Sequence, residues 1–249
     1  MMRIGVIPAR YGSTRFPGKP LALISGKPMI QYVYESTIQS KAFDAVYIAT
    51  DDIQIEQVAN DFGASVVLTP TTLQSGTDRV HAAIQRLKLQ KKISAPSVIV
   101  NIQGDEPLCP PELFRDLVST FEQNNCEICT PISLIENEEE FLNPNVVKVV
   151  INNDNKALYF SRSPIPYSIG FNADLQRFKH IGLYAYSPEV LEFFANSSPS
   201  SLELQENLEQ LRLLQHGYSI LCFETDYTSV AVDKPEDIHK VESILSPTI

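Results

Sequence analysis

Four short runs in the first half of the chain are apolar almost without interruption: IGVIPA, AVYIAT, SVVLT and SVIVNIQ. A strand with one wet face alternates apolar and polar residues. These do not, so both of their faces have to be covered. Segments with helical spacing separate them: MIQYVYESTIQS, IQIEQVANDFG closed by Gly63, and TDRVHAAIQRLKLQ. PELFRDLVSTFEQNN follows the last strand, with proline in its first turn, a favoured helix start. The alternation predicts an α/β fold with a doubly wound, mostly parallel sheet. After about residue 130 the pattern changes. ICTPIS, VVKVVIN, ALYFS and HIGLYAY read as strands with few helices between them. Helices over 188–197 and 202–216, a strand SILCFET and a last helix over 235–245 complete a strand-rich second region.

Ligands of such sheets sit at the carboxyl ends of the strands. Three segments fall there: residues 8–20 after the first strand, Asp51-Asp52 after the second, and QGDEP (103–107) after the fourth. Long loops at 70–76 and 161–179 are placed to frame a site. The first segment, PARYGSTRFPGKP, carries Arg10, Arg15 and Lys19. Residues 1–34 hold no acidic residue, although the chain has 20 Lys+Arg against 30 Asp+Glu and a net charge of −10. That balance argues against nucleic acid, which asks for a net basic face. A compact anion such as a triphosphate fits better, the plain alternative being a solvated basic loop. The segment is neither a P-loop, since Pro20 follows Lys19 and Ser13 stands where a glycine should, nor G-x-G-x-x-G. Gly12 and Gly18 still permit close backbone approach, the cations are charge-assisted donors, and Pro17 and Pro20 stiffen the loop.

The strand running into Asp105-Glu106 puts carboxylate at the sheet edge, where Mg²⁺ commonly bridges to phosphate. Asp233, in VAVDKPEDIHKV, is either a helix cap or a further ligand of the same ion. His81, His216 and His239 read as helix or helix-end residues, whereas His180, beside Tyr184 and Tyr186, is placed to face a polar substrate. Cys126-Glu-Ile-Cys129 leads into a strand and has no second metal-binding pair, so structural thiols are expected. Cys109 and Cys222 complete a set of free cysteines that suits a cytoplasmic protein. No apolar run reaches membrane-spanning length, and the start is too short in apolar residues for a signal peptide. No motif supports a covalent nucleophile.

PARYGSTRFPGKPL, QSGTDR, NIQGDEP, NPNVVKVV, ALYFSRSPIP, HIGLYAY, LEQLR and VDKPEDI, in that order, resemble the signature blocks of the 3-deoxy-manno-octulosonate cytidylyltransferases. The resemblance runs from about residue 3 to 245. It implies transfer of CMP from CTP to 3-deoxy-manno-octulosonate (Kdo), with Mg²⁺ as cofactor, for lipopolysaccharide synthesis, and a homodimer. The implied fold is a single nucleotidyltransferase-type domain over 1–249. Within it, 1–130 is mainly nucleotide-binding, 131–220 mainly sugar-binding and dimerising, and 221–249 a returning strand and helix. Position by position, Arg10, Arg15 and Lys19 would hold the triphosphate and, with Asp105, form the catalytic set. Asp105 and Asp233 would bind Mg²⁺, and Ala9, Ser75, Gly76 and Arg79 would surround the nucleotide. Gln103, Arg162, His180, Tyr184, Glu209 and Gln210 would line the sugar-acid pocket. A sialic acid cytidylyltransferase, a glycosyltransferase and a nucleotide-binding module without turnover stand as alternatives. The later blocks argue against the first, and Asp105-Glu106-Pro107 in place of D-x-D against the second.

Overall fold

A computed structural model describes residues 2–12, 16–73, 75–167 and 175–245. The chain divides into two compact units, Met1–Asp116 with Ser229–Ile249, and Leu117–Thr228.

In the first unit β1 (Arg3–Ala9) is followed by the cationic loop, a 3₁₀ turn at Lys19–Leu21, and a small hairpin of β2 (Leu23–Ile24) and β3 (Lys27–Pro28). Ser25 and Gly26, both at positive φ, make the tight turn of that hairpin. Then come α1 (Met29–Gln39), β4 (Ala45–Thr50), α2 (Ile53–Asp61), β5 (Ser65–Leu68), α3 (Gly76–Leu89), β6 (Val98–Asn101) and α4 (Pro111–Gln123), inside which the division falls. The strand order is β5-β4-β1-β6, every pair parallel. β6 is buried along its whole length and β1 along most of it, as their unbroken apolar sequences require. The chain winds outward from β1 to β5 and then crosses back through α3 to β6 on the other side of β1. That reversal makes the carboxyl ends of β1 and β6 the topological switch point, where such sheets bind ligands. The cationic loop and QGDEP both begin there.

The second unit holds β7 (Ile128–Leu134), α5 (Glu138–Leu142), β8 (Lys148–Ile151), β9 (Ala157–Ser161), β10 (Phe178–His180), β11 (Tyr184–Tyr186), α6 (Pro188–Asn196), α7 (Ser201–Glu206), α8 (Gln210–Gln215) and β12 (Leu221–Glu224). β12 runs parallel to β7, and β10 and β11 run antiparallel to it. α9 (Asp237–Leu245) belongs to the first unit.

Two expected elements are divided. HIGLYAY is not one strand: His180 pairs with Ile132 but Ala185 with Cys129, five residues advancing against three on β7. The kink is held by the buried Thr130 hydroxyl, 2.8 Å from the Leu183 carbonyl and 3.2 Å from that of Ile181. The helix expected over 202–216 is two. Asn207 takes a left-handed conformation (φ 53°) and ends α7, a role asparagine accepts more readily than most residues.

Candidate active site

β1 ends at the buried Ala9, and Arg10 is exposed just beyond it. Arg15 lies outside the described residues. The loop closes where the Gly18 N–H donates to the Tyr11 carbonyl at 2.9 Å. Gly18 sits at φ 71°, and a Cβ there would lie 3.3 Å from the Tyr11 ring, so a side chain would be strained and crowded at once. Lys19 opens the 3₁₀ turn, with the buried Pro20 next, which anchors its backbone.

Asp105 reaches Lys19 because Gly104 lets the chain after β6 approach β1. A Cβ on Gly104 would stand 3.1 Å from the Pro8 carbonyl oxygen. The Asp105 carbonyl then accepts from the Val232 N–H at 2.9 Å, which draws in the returning segment. Val232 is fully buried with Ile24, Met29 and Val241. Burying such a side chain contributes about 1.5–3 kcal/mol, enough to fix where Asp233 stands. The turn into α9 is capped by Asp237, whose Oδ2 accepts from the N–H groups of Asp233 and Lys234 at 2.8 Å each. The Asp233 carboxylate faces Lys19. The Lys19 ammonium lies 2.6 Å from Asp105 Oδ2 and 3.5 Å from Asp233 Oδ1. The two carboxylates thus converge on the Lys19 ammonium. Among the described residues no group of three or more His, Cys, Asp or Glu side chains is placed to hold a metal. Mg²⁺ often takes only one or two carboxylates and completes its shell with phosphate and water, so this pair fits it.

At the start of α3, Ser75 caps the helix in a reciprocal box with Asp78, and Gly76 is its first residue. Arg79 is buried, and its guanidinium donates to Asp51 at 2.9 Å and to Thr69 Oγ1 at 2.6 Å. Asn101, at the end of β6, donates to Thr77 at 3.1 Å. These contacts lock the helix start to the ends of β4, β5 and β6.

In the second unit His180 and Tyr184 come together, ring centroids 5.1 Å apart, with Phe160 on the other face of the imidazole. Burial pushes the His180 imidazole down to about 3, so it is neutral. Thr130 Oγ1 lies 3.1 Å from its Nε2. The hydroxyl proton belongs to the nearer Leu183 carbonyl, which leaves its lone pairs for an Nε2–H tautomer. Burial, followed by the nearby Tyr186, Cys222 and Glu209, holds the Tyr184 phenol protonated. The Tyr184 hydroxyl and Gln210 Nε2 are buried polar atoms without a hydrogen-bond partner, a state that costs about 1–3 kcal/mol per group unless a ligand satisfies it. Glu209 is half-buried beside Gln210, and Gln103 is half-buried between β6 and Asp105 in the first unit. The Arg162 guanidinium donates to the carbonyls of Glu206 (2.9 Å), Pro144 (3.1 Å) and Asn207 (3.4 Å).

His180 supplies a pH prediction. Its folded-state pKa, about 3, lies below the ordinary 6.5. The unfolded chain therefore takes up the proton first as pH falls. The stability tied to the neutral imidazole is complete above 6.5 and declines as pH drops toward 3, by about 2 kcal/mol at pH 5. The melting temperature of the wild type is expected to fall more between pH 7 and pH 5 than that of His180→Asn. Equal slopes would contradict a neutral imidazole held in the folded chain.

The sequence marks Asp51 at a strand end where ligands bind but not as the partner of Arg79, and Thr69 carries no signal. Lys148 had one: a lysine inside the apolar run NVVKVV. It is fully buried, and its ammonium donates to the carbonyls of Asn143, Val146 and Arg162 at 2.8, 2.5 and 2.7 Å. The four cysteines are free thiols, and Cys109, Cys129 and Cys222 are buried.

The cytidylyltransferase family profile matches residues 4–220. The chain belongs to the cytidylyltransferase family. A 3-deoxy-manno-octulosonate cytidylyltransferase of Thermodesulfovibrio yellowstonii is 44% identical over 253 residues, 99% of each chain. An 8-amino-3,8-dideoxy-manno-octulosonate cytidylyltransferase of a Shewanella species is 44% identical over 243 residues, 97% of each. Among solved structures, a CMP:2-keto-3-deoxy-manno-octonic acid synthetase complexed with CTP matches with a TM-score of 0.89 at 38% identity, both chains covered in full. The expected mixed α/β fold with a parallel sheet and a strand-rich second region is thus that of a cytidylyltransferase. No helix among the described residues is long and apolar enough to cross a membrane.

Proposed function

We propose that this cytidylyltransferase transfers the CMP of CTP to the anomeric hydroxyl of Kdo, giving CMP-Kdo and pyrophosphate for lipopolysaccharide synthesis. The observation that carries the site assignment is the convergence of Lys19, Asp105 and Asp233 at the switch point of the parallel sheet. The sugar hydroxyl attacks the α-phosphorus in line with departing pyrophosphate, a transfer that asks mainly for positioning and charge neutralisation. CTP brings about four negative charges and Kdo a carboxylate, so the unassisted approach is repulsive. Arg10, Arg15 and Lys19 answer that repulsion on the phosphates, and Ala9, Ser75, Gly76 and the α3 start held by Arg79 serve the nucleoside. Mg²⁺ held by Asp105 and Asp233 would neutralise phosphate charge and acidify the attacking hydroxyl. Gln103, Arg162, His180, Tyr184, Glu209 and Gln210 take the sugar acid. The unpartnered Tyr184 hydroxyl and Gln210 amide support this, since sugar hydroxyls would satisfy both. A homodimer is proposed on the family resemblance, with the exposed Leu134, Leu142, Leu158 and Leu204 of the second unit available to be covered. A cytoplasmic setting follows from the supply of CTP.

The test is pyrophosphate release from CTP with Kdo, its 8-amino analogue or N-acetylneuraminate as acceptor, the analogue being included because equally similar relatives carry its name. Release with Kdo is expected. Release only with N-acetylneuraminate, or with no acceptor at all, would overturn the proposal.

A further inference from the structure

We infer that Lys19 is a latch on the metal site: its ammonium closes the Asp105–Asp233 pair, and the arrival of a triphosphate opens it. The inference rests on the proposed metal role of that pair. The Lys19 ammonium is a compact cation with three donors, 2.6 Å from Asp105 Oδ2 and 3.5 Å from Asp233 Oδ1. A divalent ion bridging the two carboxylates needs the same oxygens at about 2.0–2.1 Å. Ammonium and metal cannot share that position, because their charges repel at contact distance. The lysine and aspartate side chains are 16%, 27% and 39% exposed, so the contact is partly withdrawn from water and holds better than a surface pair.

The loop around Lys19 is built to keep its backbone still while the side chain moves. Its N–H donates to the Phe16 carbonyl, the Ala22 N–H donates back to the Lys19 carbonyl, and Pro20 is buried behind it. Four rotatable side-chain bonds remain, enough to swing the ammonium from the carboxylates to a phosphate without shifting the loop. Magnesium alone would have to expel the ammonium with no phosphate to receive it. A triphosphate provides a stronger acceptor for Lys19, frees the two carboxylates, and brings its own metal ligands. Nucleotide and metal therefore bind with positive coupling, and the site does not fill with metal before nucleotide is present.

The test measures Mn²⁺ binding to the full, nucleotide-free protein by electron paramagnetic resonance. The proteins compared are wild type, Lys19→Gln, Lys19→Met and the Lys19→Gln/Asp105→Asn double variant, each first shown by thermal melting to be folded. Both single Lys19 variants are expected to bind one Mn²⁺ at least about tenfold more tightly than wild type, the scale of one charge-assisted contact. The double variant is expected to lose that site. Wild type binding Mn²⁺ as tightly as Lys19→Gln, through Asp105, would overturn the latch and leave the metal pair standing. Lys19 variants with no Asp105-dependent site would also overturn the latch. The metal pair is then judged separately, by whether binding of Mn²⁺ with CTP to an otherwise wild-type protein survives Asp105→Asn.

Discussion

Asp105→Asn and Asp233→Asn are each expected to lose about 10²–10³ in turnover while melting near wild type. Asparagine keeps the size and one accepting oxygen but removes the charge that draws a cation. Neither residue is in the core, and asparagine preserves the hydrogen-bonding oxygen of a helix cap, so the fold has little to lose. Lys19 keeps one carboxylate partner in each single variant. The loss should be partly recovered at high Mg²⁺ or with Mn²⁺. The double variant should lose less than the two single losses combined, because a shared site is broken once. Steady-state pyrophosphate release beside calorimetric melting decides the matter. Full additivity of the two losses, or unfolding of either single variant, would contradict a shared cation site.

Strong selectivity for CTP is the second large effect. Cytosine presents an amino donor where uracil presents a carbonyl acceptor. A site whose buried acceptors pair with that amine leaves them unpaired with UTP, at about 1–3 kcal/mol per group. Purines are excluded more severely, by size, if the pocket edge cannot widen. The start of α3 is held rigid by the Ser75–Asp78 capping box, the Arg79–Asp51 ion pair and the Asn101–Thr77 hydrogen bond. The expected order is CTP well above UTP, with ATP and GTP almost unused, measured as kcat/KM with Kdo. Asp51→Ala should weaken this order as well as stability, since it leaves the buried Arg79 without its carboxylate. Equal use of CTP and ATP by wild type would contradict the nucleoside assignment.

The parallel strands, the cationic loop and the strand running into Asp105 were legible in the sequence because each is local. Both-face burial leaves unbroken apolar runs, turns demand glycine and proline, and a gathering of cations in an acidic chain shows in composition alone. The divided strand at 178–186 was not legible, because its kink depends on Thr130 from another strand. The break at Asn207 depended on a backbone conformation that asparagine permits but does not impose. Beyond these, only the tertiary structure decided the partners. Lys19 finds Asp105 86 residues away and then Asp233, Arg79 finds Asp51 28 residues before it, and Arg162 gives its guanidinium to backbone carbonyls near residue 206. Residue types announce a charge and its sign. Which opposite charge or carbonyl it meets is set by the crossing of the chain at the switch point and by the packing that draws the last segment in beside Asp105.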